Sequence, residues 1–227
     1  MQDSEGVSSE SKDTVLEEVY IDEYWSAYRQ HVHTLLAWGY ADSRHRVQAD
    51  DEEPAITGFI AEAIENRLND PISPGWCDTI SIHDDPPIPG GGRTGRGRWR
   101  PDLIFKSMER RPRLLYHFEA KRLRAQGNVK EYLGADGLGC FISGKYASES
   151  AEAGMLGYVQ YDDMDIWMTR LQSAIDQDSQ NKNELFLLPP QSNVQIVGAF
   201  HQEWISKHCR KIGRNVVIHH ILLDYST

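Results

Sequence analysis

Three charged residues stand at the ends of two apolar runs. Asp102 leads into Leu103-Ile104-Phe105, and Glu119-Ala120-Lys121 follows Leu114-Leu115-Tyr116-His117-Phe118. The stretch from Ser107 to Pro112 between them is turn-like. An antiparallel hairpin turning near Arg110-Arg111 would set position 102 opposite position 119. Opposed side chains in such a ladder sit ~5 Å apart at Cβ, close enough for two carboxylates to hold one hard cation. Side-chain direction alternates along a strand, so Glu119 and Lys121 share a face. Two acids and an ammonium on one sheet edge suit metal-assisted attack on a phosphodiester. The plainer alternative makes Asp102 the start of a strand and Glu119 and Lys121 surface residues of an edge strand. Both runs are apolar enough to be interior, and an interior strand has little reason to carry three charges without a task.

Positioning these residues requires a packed domain. With 227 residues and 40% hydrophobic content, the chain fits one domain, residues 14–227, behind a Ser-, Glu- and Asp-rich lead, residues 1–13, that reads as disordered. No run approaches the length of a membrane span, and the acidic N-terminus is unlike a secretory signal. Cys77, Cys140 and Cys209 are odd in number and widely spaced, as free thiols in a reducing cytoplasm would be. The net charge is −10, yet Gly91 to Lys130 carries twelve Lys or Arg against three acids. A local positive excess on an acidic body is the footprint of a phosphate-binding patch, although such runs are often only solvated loop charge.

The elements follow from periodicity. Apolar residues from Thr14 to about Trp38 recur at helical spacing, giving one amphipathic helix or a pair. A second helix spans about Asp51 to Leu68, with Asp51 as its cap and Pro54 in its first turn. Its stripe is Ile56, Phe59, Ile60, Ala63 and Ile64. Glu53 falls on the stripe side, and Glu62 and Glu65 point away. Glu53 either joins a metal site or complements the helix dipole. Thr79–His83 reads as the first strand, Met164–Ile175 as a helix, Gln177–Asn183 as a polar loop, and Gln195–Phe200 and Val216–Leu223 as late strands. Pro86 to Gly97 is a Gly- and Pro-rich loop that fits neither the P-loop nor the dinucleotide fingerprint. Arg93, Arg96, Arg98 and Arg100 lie along this approach to Asp102, with Arg122 and Arg124 just beyond Lys121. A zinc site at His201, His208 and Cys209 lacks any familiar spacing, and His219-His220 on one strand must face opposite ways, so these read as ordinary residues.

Pro101-Asp102 followed by Glu119-Ala120-Lys121 resembles the signature of the PD-(D/E)xK nuclease superfamily, and the likeness extends over about Asp51 to Val159. Elements such as Gly144-Lys145-Tyr146 and Met155-Leu156-Gly157-Tyr158 resemble those of small stand-alone bacterial members. The resemblance implies a restriction-endonuclease-like α/β core: a mixed central β-sheet flanked by helices. It implies a metal-dependent DNA endonuclease, of bacterial anti-phage defence or restriction, acting alone, as a homodimer, or with a partner protein. Mg²⁺, or Mn²⁺, would be held by Asp102, Glu119, the Ala120 carbonyl and a helix glutamate, Glu53 ahead of Glu52 and Glu62. Lys121 would orient water and neutralise charge, and the six arginines would grip the DNA backbone. A ribonuclease, a structure-specific resolvase, or an inactive nucleic-acid-binding module on the same fold are the alternatives.

Overall fold

Helix α1 (Glu10–Ser43) is 34 residues long and lies against a seven-stranded sheet. The computed structural model describes residues 10–88, 92–109, 111–210 and 212–226. Tyr28, Val32, Leu35 and Leu36 are buried along one side of α1, the i, i+4, i+7, i+8 pattern of a helix with a single core-facing stripe. Helix α2 (Glu53–Leu68) packs beside it through Ile56, Ile60 and Ile64. The two helices approach closely at Gly39, where a Cβ would come within 2.5 Å of Ile64 Cγ1.

The sheet comprises β1 (Ile80–Asp84), β2 (Leu103–Ser107), β3 (Leu115–Leu123), β4 (Glu152–Val159), β5 (Ser192–Asn193), β6 (Glu203–His208) and β7 (Val216–Asp224), in the order β1-β2-β3-β4-β7-β6-β5. The central trio β3, β4 and β7 is parallel, and the flanking pairs are antiparallel. Burial along β4 and β7 is nearly continuous, as expected for parallel strands covered on both faces. Helices α1 and α2 cover one face. The other is covered by α3 (Asn128–Leu133), α4 (Gly139–Ile142) and α5 (Met164–Asn181), around Trp167, Leu171, Tyr132, Phe141 and Trp204. The protein is thus α/β with a mixed sheet flanked by helices. No helix among the described residues is long and apolar enough to cross a membrane, and the three cysteines are free thiols.

Several sequence expectations need correction. Helix α1 begins at Glu10, inside the stretch read as disordered, and runs unbroken where a pair of helices was allowed; residues 1–9 lie outside the described residues. Lengthening a helix that packing has already nucleated is cheap, so polar Glu, Ser and Lys residues continue it. Asp51 does not cap α2: the cap position is Glu52, and the Asp51 carboxylate instead accepts from the Gln48 amide at 2.8 Å. Helix α5 continues to Asn181 through most of the supposed polar loop, because exposed Gln, Asp and Ser residues suit the solvent side of a helix whose other side is buried. Residues 195–200 form no strand. The Ile196 amide turns inward to the Glu203 carboxylate at 2.9 Å and Phe200 closes on Val197, so this backbone does not join the ladder. The strand lies later, at β6.

Candidate metal centre and nucleic-acid interface

The β2–β3 hairpin pairs Leu103 with Phe118, so Asp102 and Glu119 stand one step beyond that pair, opposite each other. The Ala120 amide donates to Asp102 Oδ2 at 2.6 Å and fixes that carboxylate at the mouth of the hairpin. Lys121 lies two positions past Glu119 on the same face. Its ammonium contacts Glu119 Oε1 at 3.0 Å, Glu53 Oε1 at 3.1 Å and the Ala120 carbonyl at 2.5 Å. Glu53 reaches this spot because the start of α2 is tied down from the sheet. The Asp51 carbonyl accepts from Gln160 Nε2 at 3.0 Å and from Arg122 at 3.2 Å, and Arg122 also pairs with Glu52.

Four ionisable groups thus share a half-buried pocket of charge. Glu119 is 6% exposed, and its Oε2 has no hydrogen-bond partner. Burial, then the nearby Asp102 carboxylate, pushes the Glu119 carboxyl up to about 8. Burial also raises Asp102, against the pull of the Ala120 amide and Lys121, and raises Glu53 against Lys121. Burial opposes charge on Lys121 too, but Glu119, Glu53 and Asp102 outweigh it and hold the ammonium well above its usual range. Three carboxylates around one ammonium leave an excess of negative charge if all ionise, so protons or a further cation must balance it. The orphaned Glu119 oxygen and the hard oxygen donors fit a dication such as Mg²⁺. Two features differ from the sequence reading. The Ala120 carbonyl is occupied by Lys121, and Asp102, Glu119 and Glu53 are not gathered as tightly as the one cluster of three potential ligands, within 4.8 Å of one another, found among the described residues. Lys121 itself holds the position between the acids.

The remaining candidates separate clearly. Glu62 is exposed and pairs with Arg46, away from the centre, and Glu52 is exposed and pairs with Arg122. Arg96, Arg98 and Arg124 are exposed, and Arg93 lies over the Trp99 ring. Arg100 binds the Asp85 carbonyl and carboxylate, and Arg122 is held by Asp51 and Glu52, so these two are partly spent within the protein. Tyr146, in the Gly-Lys-Tyr element, donates to the Arg100 carbonyl at 2.8 Å and ties the basic approach to the core beside Glu119. No family model, curated protein or solved structure matches this chain.

Some of the histidines behave as expected. Both nitrogens of His208 are engaged, with Ser206 Oγ at 2.7 Å and the Leu185 carbonyl at 2.6 Å. His219 and His220 face opposite ways: His220 joins Ser206 and Tyr132, and His219 lies among His33, Glu152 and Glu203. The sequence reading takes His219 as an ordinary histidine and does not join it to His33 or Glu203. These residues stand far apart along the chain, and only the paired placement of β6 and β7 under α1 unites them.

Proposed function

We propose that the protein is a metal-dependent nuclease that hydrolyses DNA phosphodiester bonds at the Asp102–Glu119–Lys121 centre. The observation that supports this most is the burial of Lys121 among Asp102, Glu119 and Glu53 at the mouth of a hairpin, beside an exposed arginine-bearing loop. A bound Mg²⁺ would supply Lewis-acid polarisation of the phosphate and a more acidic water. Asp102 and Glu119 would hold it, with Glu53 as a third carboxylate, each giving up its proton or its share of Lys121. Lys121 would then be free to turn toward the attacking water and the developing phosphate charge. Arg96 and Arg98 would hold the nucleic-acid backbone through phosphate contacts, which position a duplex without reading its sequence. A restriction-endonuclease-like fold and a role in bacterial genome defence are parts of this reading, resting on the sequence resemblance.

The test is nicking of supercoiled plasmid by the purified chain with and without Mg²⁺, alongside Asp102→Ala and Lys121→Ala. Metal-dependent nicking lost in both variants is the expected result. Normal cutting by Lys121→Ala would refute the assignment. Parallel digestion of RNA, single strands and branched junctions distinguishes the DNase from a ribonuclease or resolvase using the same residues. Duplex binding with no cleavage of any substrate would point to a binding module.

A further inference from the structure

His33 on α1, Glu203 on β6 and His219 on β7 meet under the first helix, on the sheet face opposite Glu119. Tyr116 and Phe118, whose rings touch His33, alternate with Glu119 along β3. His33 and His220 are fully buried, and Glu203 and His219 are 3% exposed. Three atoms point inward: His33 Nδ1 lies 2.8 Å from Glu203 Oε1, and His219 Nδ1 lies 3.9 Å from the same oxygen. None of the three makes an aligned hydrogen bond. Three buried atoms thus face one another at ion-pair distance or slightly beyond, without the aligned hydrogen bonds that buried polar atoms usually make.

The outward atoms of the same side chains each face a polar neighbour. Glu203 Oε2 accepts from the Ile196 amide at 2.9 Å, and His33 Nε2 lies 3.4 Å from the Tyr116 hydroxyl. His219 Nε2 lies 3.2 Å from Glu152 Oε2, an ion pair that is likewise not an aligned hydrogen bond, and Glu152 Oε1 takes the Arg29 guanidinium at 2.6 Å. A histidine that ligates through Nδ1 carries its proton on Nε2, and here both Nε2 atoms face an oxygen. Such outer partners orient metal-bound histidines. We propose that His33 Nδ1, Glu203 Oε1 and His219 Nδ1 form a buried site for a transition-metal dication, with zinc the best match. Two imidazoles and one carboxylate suit zinc over Mg²⁺ or Ca²⁺, and a tetrahedral ion would keep one further position for water. The site clamps α1 to β6 and β7, and it is independent of the nuclease reading.

The rival is an ion-pair chain without metal, with a protonated His219 between Glu203 and Glu152. To decide, the full chain is unfolded and refolded with chelator or with zinc, then freed of loose metal by gel filtration. One zinc retained per chain and a melting temperature several degrees above the chelator-treated form are expected. Retention should fail in Glu203→Gln and His219→Gln and survive in the Asp102→Ala/Glu119→Ala double variant. X-ray absorption of the zinc-loaded wild type should show two imidazoles among nitrogen and oxygen ligands, which decides the matter even if a variant does not fold. Refolded wild type that retains no metal would overturn the proposal in favour of the ion-pair chain. A ligand shell without imidazole, or retention lost only in the double variant, would equally overturn it.

Discussion

Glu119 makes metal binding at the carboxylate centre compete with a proton. With its carboxyl at about 8, the group is about 90% protonated at pH 7 and must ionise to ligate a dication, so binding should release close to one proton. Apparent Mg²⁺ affinity should therefore rise about 50-fold between pH 6 and pH 8, and level off above. Isothermal titration at pH 7 in two buffers of different ionisation enthalpy reads the released proton directly. Glu119→Gln should abolish the buffer dependence. The same shift has a stability consequence of definite sign. A raised carboxyl binds its proton more tightly in the folded chain, so its contribution is present below the ordinary glutamate range and lost as pH rises through about 8. The metal-free wild type should lose melting temperature relative to Glu119→Gln across that window. Binding without proton release, together with an affinity flat from pH 6 to 8, would refute the reasoning.

Glu53→Gln should weaken Mg²⁺ affinity or cleavage by roughly tenfold or more, whereas Glu65→Gln, exposed on the far side of α2, should be nearly silent; equal effects would remove Glu53 from the centre. Arg96→Glu with Arg98→Glu should weaken binding to all duplex sequences alike, measured with Ca²⁺ in place of Mg²⁺, and reduce the log–log salt slope by ~0.9 per lost contact. Arg122→Gln should act instead by loosening the start of α2, lowering activity with little change in that slope. Gly154→Ala should cost about 1–3 kcal/mol in denaturant unfolding, because a Cβ there would lie 2.0 Å from Phe118 Cε1 in the middle of the sheet.

The β2–β3 hairpin was legible because its signals are local: two apolar runs, a turn between them, and a register fixed by counting from Arg110-Arg111. Glu53 could be placed on the inner side of α2 for the same reason, since a wheel needs only the helix itself. Local pattern fails where partners are distant or composition misleads. The stretch Gln195–Phe200 is a short apolar run like that of a buried strand, but the Ile196 amide is captured by the Glu203 side chain. The end of α5 has loop-like composition and stays helical because only its inner side must be apolar. His33 could not be paired with Glu203 or His219 from sequence, as nothing along the chain announces a contact between α1 and two strands so far downstream. A single histidine in an apolar helix reads equally well as filler.

Strand β7 is last in the chain yet lies between β4 and β6. During synthesis, β1 to β4 and both N-terminal helices can associate first, and the carboxylate centre needs little beyond them except Gln160, which directly follows β4 and holds the Asp51 carbonyl. The β5–β6 hairpin cannot join the sheet until β7 emerges, for β7 alone connects it to β4 through ladders on both sides. The final strand therefore works as a keystone. It seals the sheet and, through His219, closes the space beneath α1 in the same event. Trimming the chain within Val216–Asp224 should divide the sheet rather than shorten it, leaving an open edge at β4 and a β5–β6 hairpin held through its side-chain contacts with α1 and α5.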